Sequence, residues 1–205
     1  MSLSDNISAA EAARPAAQSR VGKQPVSVPA GVSVEASGGQ LKVKGPKGLV
    51  VRPIPSGVDV LLEGGVAKVD ATSCGRQSNQ MQGLVRALLQ AQVKGVTEGY
   101  KVALDLYGVG YRAELAAEKL TLLLGLSHPV VVDVPKDISV KIETIDEGGT
   151  KRPRIHLESV DNQLLGQFRS KVKSFRPPEP YKGKGVRVMG EKIREKAGKS
   201  GAKGR

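Results

Sequence analysis

One cysteine, Cys74, stands among 205 residues, so the chain holds no internal disulfide framework and suits a reducing compartment. With no histidine partnering it in sequence, that thiol reads as an incidental small residue and not as a nucleophile. Histidine is almost as scarce. His128 and His156 lie far apart, with no Cys or carboxylate at ligand spacing, which leaves a metal site without support. No Ser-His-Asp or Cys-His grouping stands out and the carboxylates are scattered, so an enzyme is not expected, nor a cofactor. Long apolar runs are missing too: none reaches the ~18 residues of a membrane span. The first residues carry no apolar signal segment, and Asp5 and Glu11 argue against a transit peptide. Residues 1–18 read as a disordered or partly helical extension.

Acidic residues are scarce only at one end. Residues 1–150 hold 16 Lys/Arg and 15 Asp/Glu, whereas residues 151–205 hold 16 against 5. Nearly all of the +12 formal net charge therefore sits in the last quarter of the chain. A polyanion partner is the simplest explanation, and nucleic acid is the commonest polyanion. An anionic membrane surface is the rival, but this end lacks the apolar face of an interfacial helix.

The charge gathers around Phe175-Arg176-Pro177-Pro178-Glu179-Pro180-Tyr181-Lys182-Gly183-Lys184-Gly185-Val186-Arg187. The prolines remove backbone donors and fix φ, which excludes a helix interior or central strand. The expectation is a stiff spacer, an aromatic ring and then cations on a bendable chain outside the packed core, suited to a phosphate backbone. A solvated tail without a fixed partner is the plainer alternative.

Upstream, order begins near Ser19-Arg20-Val21-Gly22-Lys23. Val32 and Val34, a turn at Ser37-Gly38-Gly39-Gln40, then Leu41 and Val43 spell a hairpin. Gly45-Pro46-Lys47-Gly48 turns the chain again; Lys44 and Lys47 there suit a solvated turn or a neighbour contact. Further strands are expected at 49–54, 58–62 and 66–69, giving an antiparallel sheet. Met81, Leu84, Val85, Leu88 and Leu89 recur at helical spacing, with Ser78 or Asn79 as N-cap. A second set follows: strands at 101–106, 111–115, 120–124, 130–134, 138–142 and 154–158. A helix from about Asp161 to Lys173 comes next, burying Leu164, Leu165, Phe168 and Val172 with Asp161 as its cap.

The two helices match. Asn79-Gln80-Met81-Gln82-Gly83-Leu84-Val85-Arg86 aligns with Asn162-Gln163-Leu164-Leu165-Gly166-Gln167-Phe168-Arg169 at a constant offset of 83. The fold class expected is α+β, a tandem duplication of a small domain with one helix packed on one face of an antiparallel sheet. Gly83 and Gly166 in mid-helix suggest a close approach of each helix to its sheet. The divisions are 1–18 as extension, 19–98 and 99–181 as domains, and 182–205 as a basic tail.

Several stretches, in order, resemble the bacterial-type large-subunit ribosomal protein L-six family. They are Ser19 to Lys23, Val43-Lys44-Gly45-Pro46-Lys47-Gly48, Tyr107-Gly108-Val109-Gly110-Tyr111-Arg112, Leu126-Ser127-His128-Pro129-Val130 and, most specifically, Phe175 to Arg187. The resemblance implies the same two-copy α+β architecture. It also implies a cytoplasmic, non-catalytic ribosomal component that binds large-subunit ribosomal RNA near the sarcin–ricin loop and the base of the factor-binding stalk. Neighbouring large-subunit proteins and translation factors would lie nearby, with no membrane and no small-molecule substrate. By position, the implied RNA-contacting set is Tyr181, Lys182, Lys184, Arg187, Lys173, Arg176, Tyr111 and Arg112; Lys192 and Arg194 further along the basic end join it as candidates. Residues 1–18, the lengthened hairpin at 147–152 and the Gly/Lys-rich end inherit no role. The residues by themselves leave a second reading open, a free-standing nucleic-acid-binding regulator. The Gly-x-Gly at 108–110 is no nucleotide fingerprint, because it lacks the third glycine and the strand–turn–helix setting.

Overall fold

Alternating apolar residues carry each half of the chain into strands, and one helix then covers them. The computed structural model describes residues 19–72, 76–147 and 150–198; the 1–18 extension, Cys74 and the end of the basic tail lie outside these. The chain divides into two units after Gly99.

The first unit contains β1 (Val26–Ser27), β2 (Ser33–Ser37), β3 (Gln40–Gly45), β4 (Gly48–Pro53), β5 (Val58–Glu63), β6 (Val66–Ala71) and α1 (Arg76–Thr97). They form two antiparallel three-stranded sheets, β2-β3-β4 and β1-β6-β5, where the sequence suggested one. Gly38 and Gly39, both at positive φ (59° and 71°), make the tight turn that aligns Ser37 with Gln40. Leu41 and Val43 of β3, Val58 of β5 and Val69 of β6 are buried, as are Val85, Leu89 and Val96 of α1, the helix that packs on these strands. Each fully buried aliphatic side chain contributes about 1.5–3 kcal/mol. The Gly45–Gly48 turn docks at the end of α1: the Lys47 amide donates to the Val96 carbonyl at 3.1 Å, and its ammonium donates to the Glu98 carbonyl.

The second unit contains β7 (Tyr100–Tyr107), β8 (Arg112–Ala116), β9 (Lys119–Leu123), β10 (Val130–Asp133), β11 (Ile138–Glu147), β12 (Thr150–Ser159), α2 (Asn162–Phe175) and β13 (Gly185–Val188). Its sheets run β10-β9-β8 and β11-β12-β7-β13. Leu104, Leu106, Ile155, Leu157 and Val186 face Leu165, Phe168 and Val172 of α2, with Leu120, Leu122, Val130 and Val132 completing one core. Asp161 caps α2 as expected, its carboxylate accepting from the Gln163 amide at 2.8 Å.

The architecture is the duplicated α+β fold read from the sequence. The order β1-β6-β5 in one unit is repeated as β7-β12-β11 in the other, and positions 82, 85 and 89 of α1 and 165, 168 and 172 of α2, related by the offset of 83, are all buried. Three local expectations are corrected. α1 already begins at Arg76, so Ser78 and Asn79 lie inside it. Leu84 is exposed and Gln82 is buried instead. The Gln82 amide donates to the Val69 carbonyl at 2.8 Å, and its oxygen accepts from the Ser19 amide at 3.2 Å. The mid-helix glycines do not bring helix against sheet: a Cβ on Gly83 would meet Ser19 Oγ at 3.0 Å, and one on Gly166 would meet nothing within 4 Å.

Candidate nucleic-acid interface

The proline-rich run does not leave the fold as a free tail. α2 ends at Phe175 because Arg176, ahead of Pro177, leaves helical backbone (φ −146°, ψ 84°). The chain then loops out and returns as β13, which pairs antiparallel with β7 from Gly185↔Tyr107 to Val188↔Leu104. Val186 is wholly buried. The expectation of a bendable segment outside the core, beginning at 182, is thereby corrected: through Val188 the motif belongs to the second sheet.

Backbone hydrogen bonds close the loop. The Glu179 amide donates to the Lys184 carbonyl at 2.7 Å, and the Val186 amide donates to the Arg176 carbonyl at 2.9 Å. Gly185 passes beneath the prolines at φ 134°, where no side chain fits. Arg187 reaches back from β13 and donates through Nη2 to the Gly183 carbonyl. Its guanidinium lies over the Tyr107 ring, 4.1 Å from the centroid. What remains outward at the turn is Tyr181, 56% exposed, with Lys182 and Lys184 beside it, both exposed. The loop therefore presents one flat ring and two ammonium groups on backbone already fixed.

The other candidate residues divide into outward and inward sets. Lys192 and Arg194 are exposed on an irregular segment anchored at both ends, where the Met189 amide donates to Ala103 and the Lys196 amide to Pro180, each at 2.9 Å. Arg112 is exposed at the start of β8, and Arg176 is half-buried. Lys173 is engaged: its ammonium meets a Glu191 carboxylate oxygen at 2.5 Å, and the other oxygen accepts from the Val188 amide at 3.1 Å. These two hydrogen bonds, Lys173 first, hold the Glu191 carboxyl below its ordinary value of 4.5. Tyr111 does not face outward; it is 8% exposed within the core cluster. Its ring fills the space over Gly108, where a Cβ would lie 2.5 Å away. This corrects the expectation of an RNA-contacting Tyr111, since a ring packed inside the unit shapes the 108–110 loop and offers no stacking face. Val109, 92% exposed, stands at the tip instead.

Sequence reasoning missed the polar group on the outer face of the same sheet. Asp105, 7% exposed, is aligned with Arg154 on one side and Arg187 on the other. Arg154 takes its carboxylate with two hydrogen bonds, one of 2.9 Å. Arg152 lies over Tyr107 at 4.4 Å. The only signal available was the clustering of Arg in 152–154, which has no meaning until the strand register is known.

Two copies of one unit, with a basic loop built onto the second, can be compared with known proteins. The family model for Ribosomal protein L6 matches residues 28–99 and 107–188. This chain belongs to that family. It is 46% identical over 185 residues to the large ribosomal subunit protein uL6 of Parabacteroides distasonis, which spans 90% of this chain and 100% of that protein. The uL6 of Flavobacterium johnsoniae is 47% identical over 182 residues, 89% of this chain and 99% of its own length. That of Synechocystis is 43% identical over 185 residues, 90% and 99%. The family's two matched segments fall one in each unit, and the second ends at Val188, the last residue of β13.

Proposed function

We propose that this chain is a non-catalytic structural constituent of the large ribosomal subunit, binding large-subunit ribosomal RNA near the sarcin–ricin loop and the base of the factor-binding stalk. Family membership and the names of its relatives support the ribosomal placement. The observation that carries the RNA reading is the Pro177–Lys184 loop, closed by the Glu179–Lys184 and Val186–Arg176 backbone hydrogen bonds, with Tyr181, Lys182 and Lys184 exposed. Ammonium groups on fixed backbone neutralise phosphates at crowded RNA strands, and Tyr181 offers a face to a base or ribose. Arg112, Arg176, Lys192 and Arg194 extend the same contact. Structured RNA is recognised by shape, phosphate and 2′-hydroxyl groups, so the interface carries no base-reading code. Neighbouring large-subunit proteins and passing translation factors would complete the surroundings of the site.

Two measurements test this. The protein should co-sediment with the large subunit at physiological salt; a protein that stays out of that fraction is a free-standing nucleic-acid-binding regulator. Log affinity for large-subunit RNA should fall against log salt with a slope of about −5 if about six cations neutralise phosphates. Hydroxyl-radical footprints at the sarcin–ricin loop would support the location, and their appearance elsewhere would move it.

A further inference from the structure

Tyr107 ends β7 with a guanidinium from each neighbouring strand against its ring. Arg187 approaches from β13 at 4.1 Å and Arg152 from β12 at 4.4 Å. The paired register of β12 with β7 reaches Arg154↔Asp105; continued by two residues, it sets Arg152 opposite Tyr107. Two cations on one ring repel each other, and Asp105, two positions back on β7, is already held by Arg154. Arg187 has little freedom left. Its Nη2 is spent on the Gly183 carbonyl, and its Nε is buried without a partner among the described residues. The Nε–Nη2 edge, one of those with which Arg clamps a phosphate, is therefore closed to RNA.

We infer that Arg187 and Arg152 are positioning residues for RNA binding: stacked on Tyr107, they hold the Pro177–Lys184 loop closed before RNA arrives, so that Tyr181, Lys182 and Lys184 bind without a further ordering cost. The inference rests on the RNA-binding function above. It gives the lengthened β11–β12 hairpin a role, because that hairpin carries Arg152 to the ring. It also separates Arg187 from the lysines of the same motif. They meet the partner; Arg187 meets the protein.

The test uses the full chain and a large-subunit RNA transcript containing the sarcin–ricin loop, with affinity measured across a salt series. Amide hydrogen exchange is followed in the protein alone. Arg187→Lys keeps the charge and loses the planar stacking group. It should bind about 10-fold more weakly at unchanged salt slope, with protection lost at the Glu179 amide and kept at Ile155 in the core. Tyr107→Phe, which retains the ring face, should behave as wild type, and Tyr107→Leu as Arg187→Lys. Arg152→Gln, away from the core, should weaken binding about 3-fold in the same pattern and carries the test if the Arg187 variant fails to fold. The inference is overturned if Arg187→Lys binds like wild type while Arg187→Ala shallows the slope by about one, the mark of a phosphate contact. Unchanged Glu179 protection in Arg187→Lys and Arg152→Gln overturns it too. If wild-type protein fails to bind the transcript, the functional reading falls, and the exchange comparison alone upholds or overturns the stack.

Discussion

An alanine at Gly185 would place its methyl group 2.6 Å from the Pro177 carbonyl oxygen and 2.8 Å from Pro178 Cα, on backbone at φ 134°. The neighbours are backbone atoms and cannot swing aside. Gly185→Ala should therefore cost about 2–4 kcal/mol, from backbone strain and overpacking together, read as a lower denaturation midpoint. Gly166 is the opposite case, with nothing within 4 Å of a Cβ and no positive φ. Gly166→Ala should raise stability by about 0.5–1 kcal/mol; a loss would mean that a contact forms there. Glu191 gives the residue scale a pH dependence. Its carboxyl is lowered from 4.5 by Lys173 and the Val188 amide, so its contribution is full above 4.5 and fades as pH falls through the lowered value. Thermal unfolding of wild type and Glu191→Gln should differ near neutrality and converge in acid. Single residues were legible where their partners were local, as at Asp161. Gln82 was not, because its amide is satisfied by Val69 and Ser19, 13 and 63 residues away, and a local period counts any Gln as outward.

Among the elements, β13 was hidden for the same kind of reason. Four residues that begin with a glycine, after a proline run, are too few to carry a strand signal of their own. Their pairing with β7 lies some eighty positions back and supplies the structure, as tertiary context commonly does. Strands that alternate clearly, such as β3, β6 and β12, were legible from period alone. The consequence is a prediction about truncation. Removing 182–205 takes away Val186, fully buried, and bares the edge of β7. That deletion should destabilise the second unit by about 3 kcal/mol or more, seen as lost cooperativity in its unfolding. Removing only 191–205 keeps β13 and deletes 6 Lys/Arg. It should leave the sheet intact and shallow the salt slope by about 2 if Lys192 and Arg194 each neutralise a phosphate.

On the scale of the whole molecule, the duplication was legible because the helix faces repeat at one offset, and the strand orders β1-β6-β5 and β7-β12-β11 repeat it in space. What distinguishes the copies is what the second adds: a strand on the edge of β7, where β1 is the end strand of its own sheet among the described residues, and the loop that this strand holds. Charge follows the addition. Residues 100–205 carry 21 Lys/Arg and 13 Asp/Glu, against 11 and 7 in residues 1–99. The second unit's core cluster draws on residues of that unit only, so residues 100–205 should fold alone and bind large-subunit RNA with a salt slope within about one of the full chain's. Residues 1–99 should fold and bind at least about 10-fold more weakly. Filter binding of both fragments across a salt series decides the matter, with circular dichroism confirming that each is folded. A folded second unit whose slope falls to half would put a large share of the phosphate contacts on the first copy, and the division of labour between the two copies would have to be redrawn.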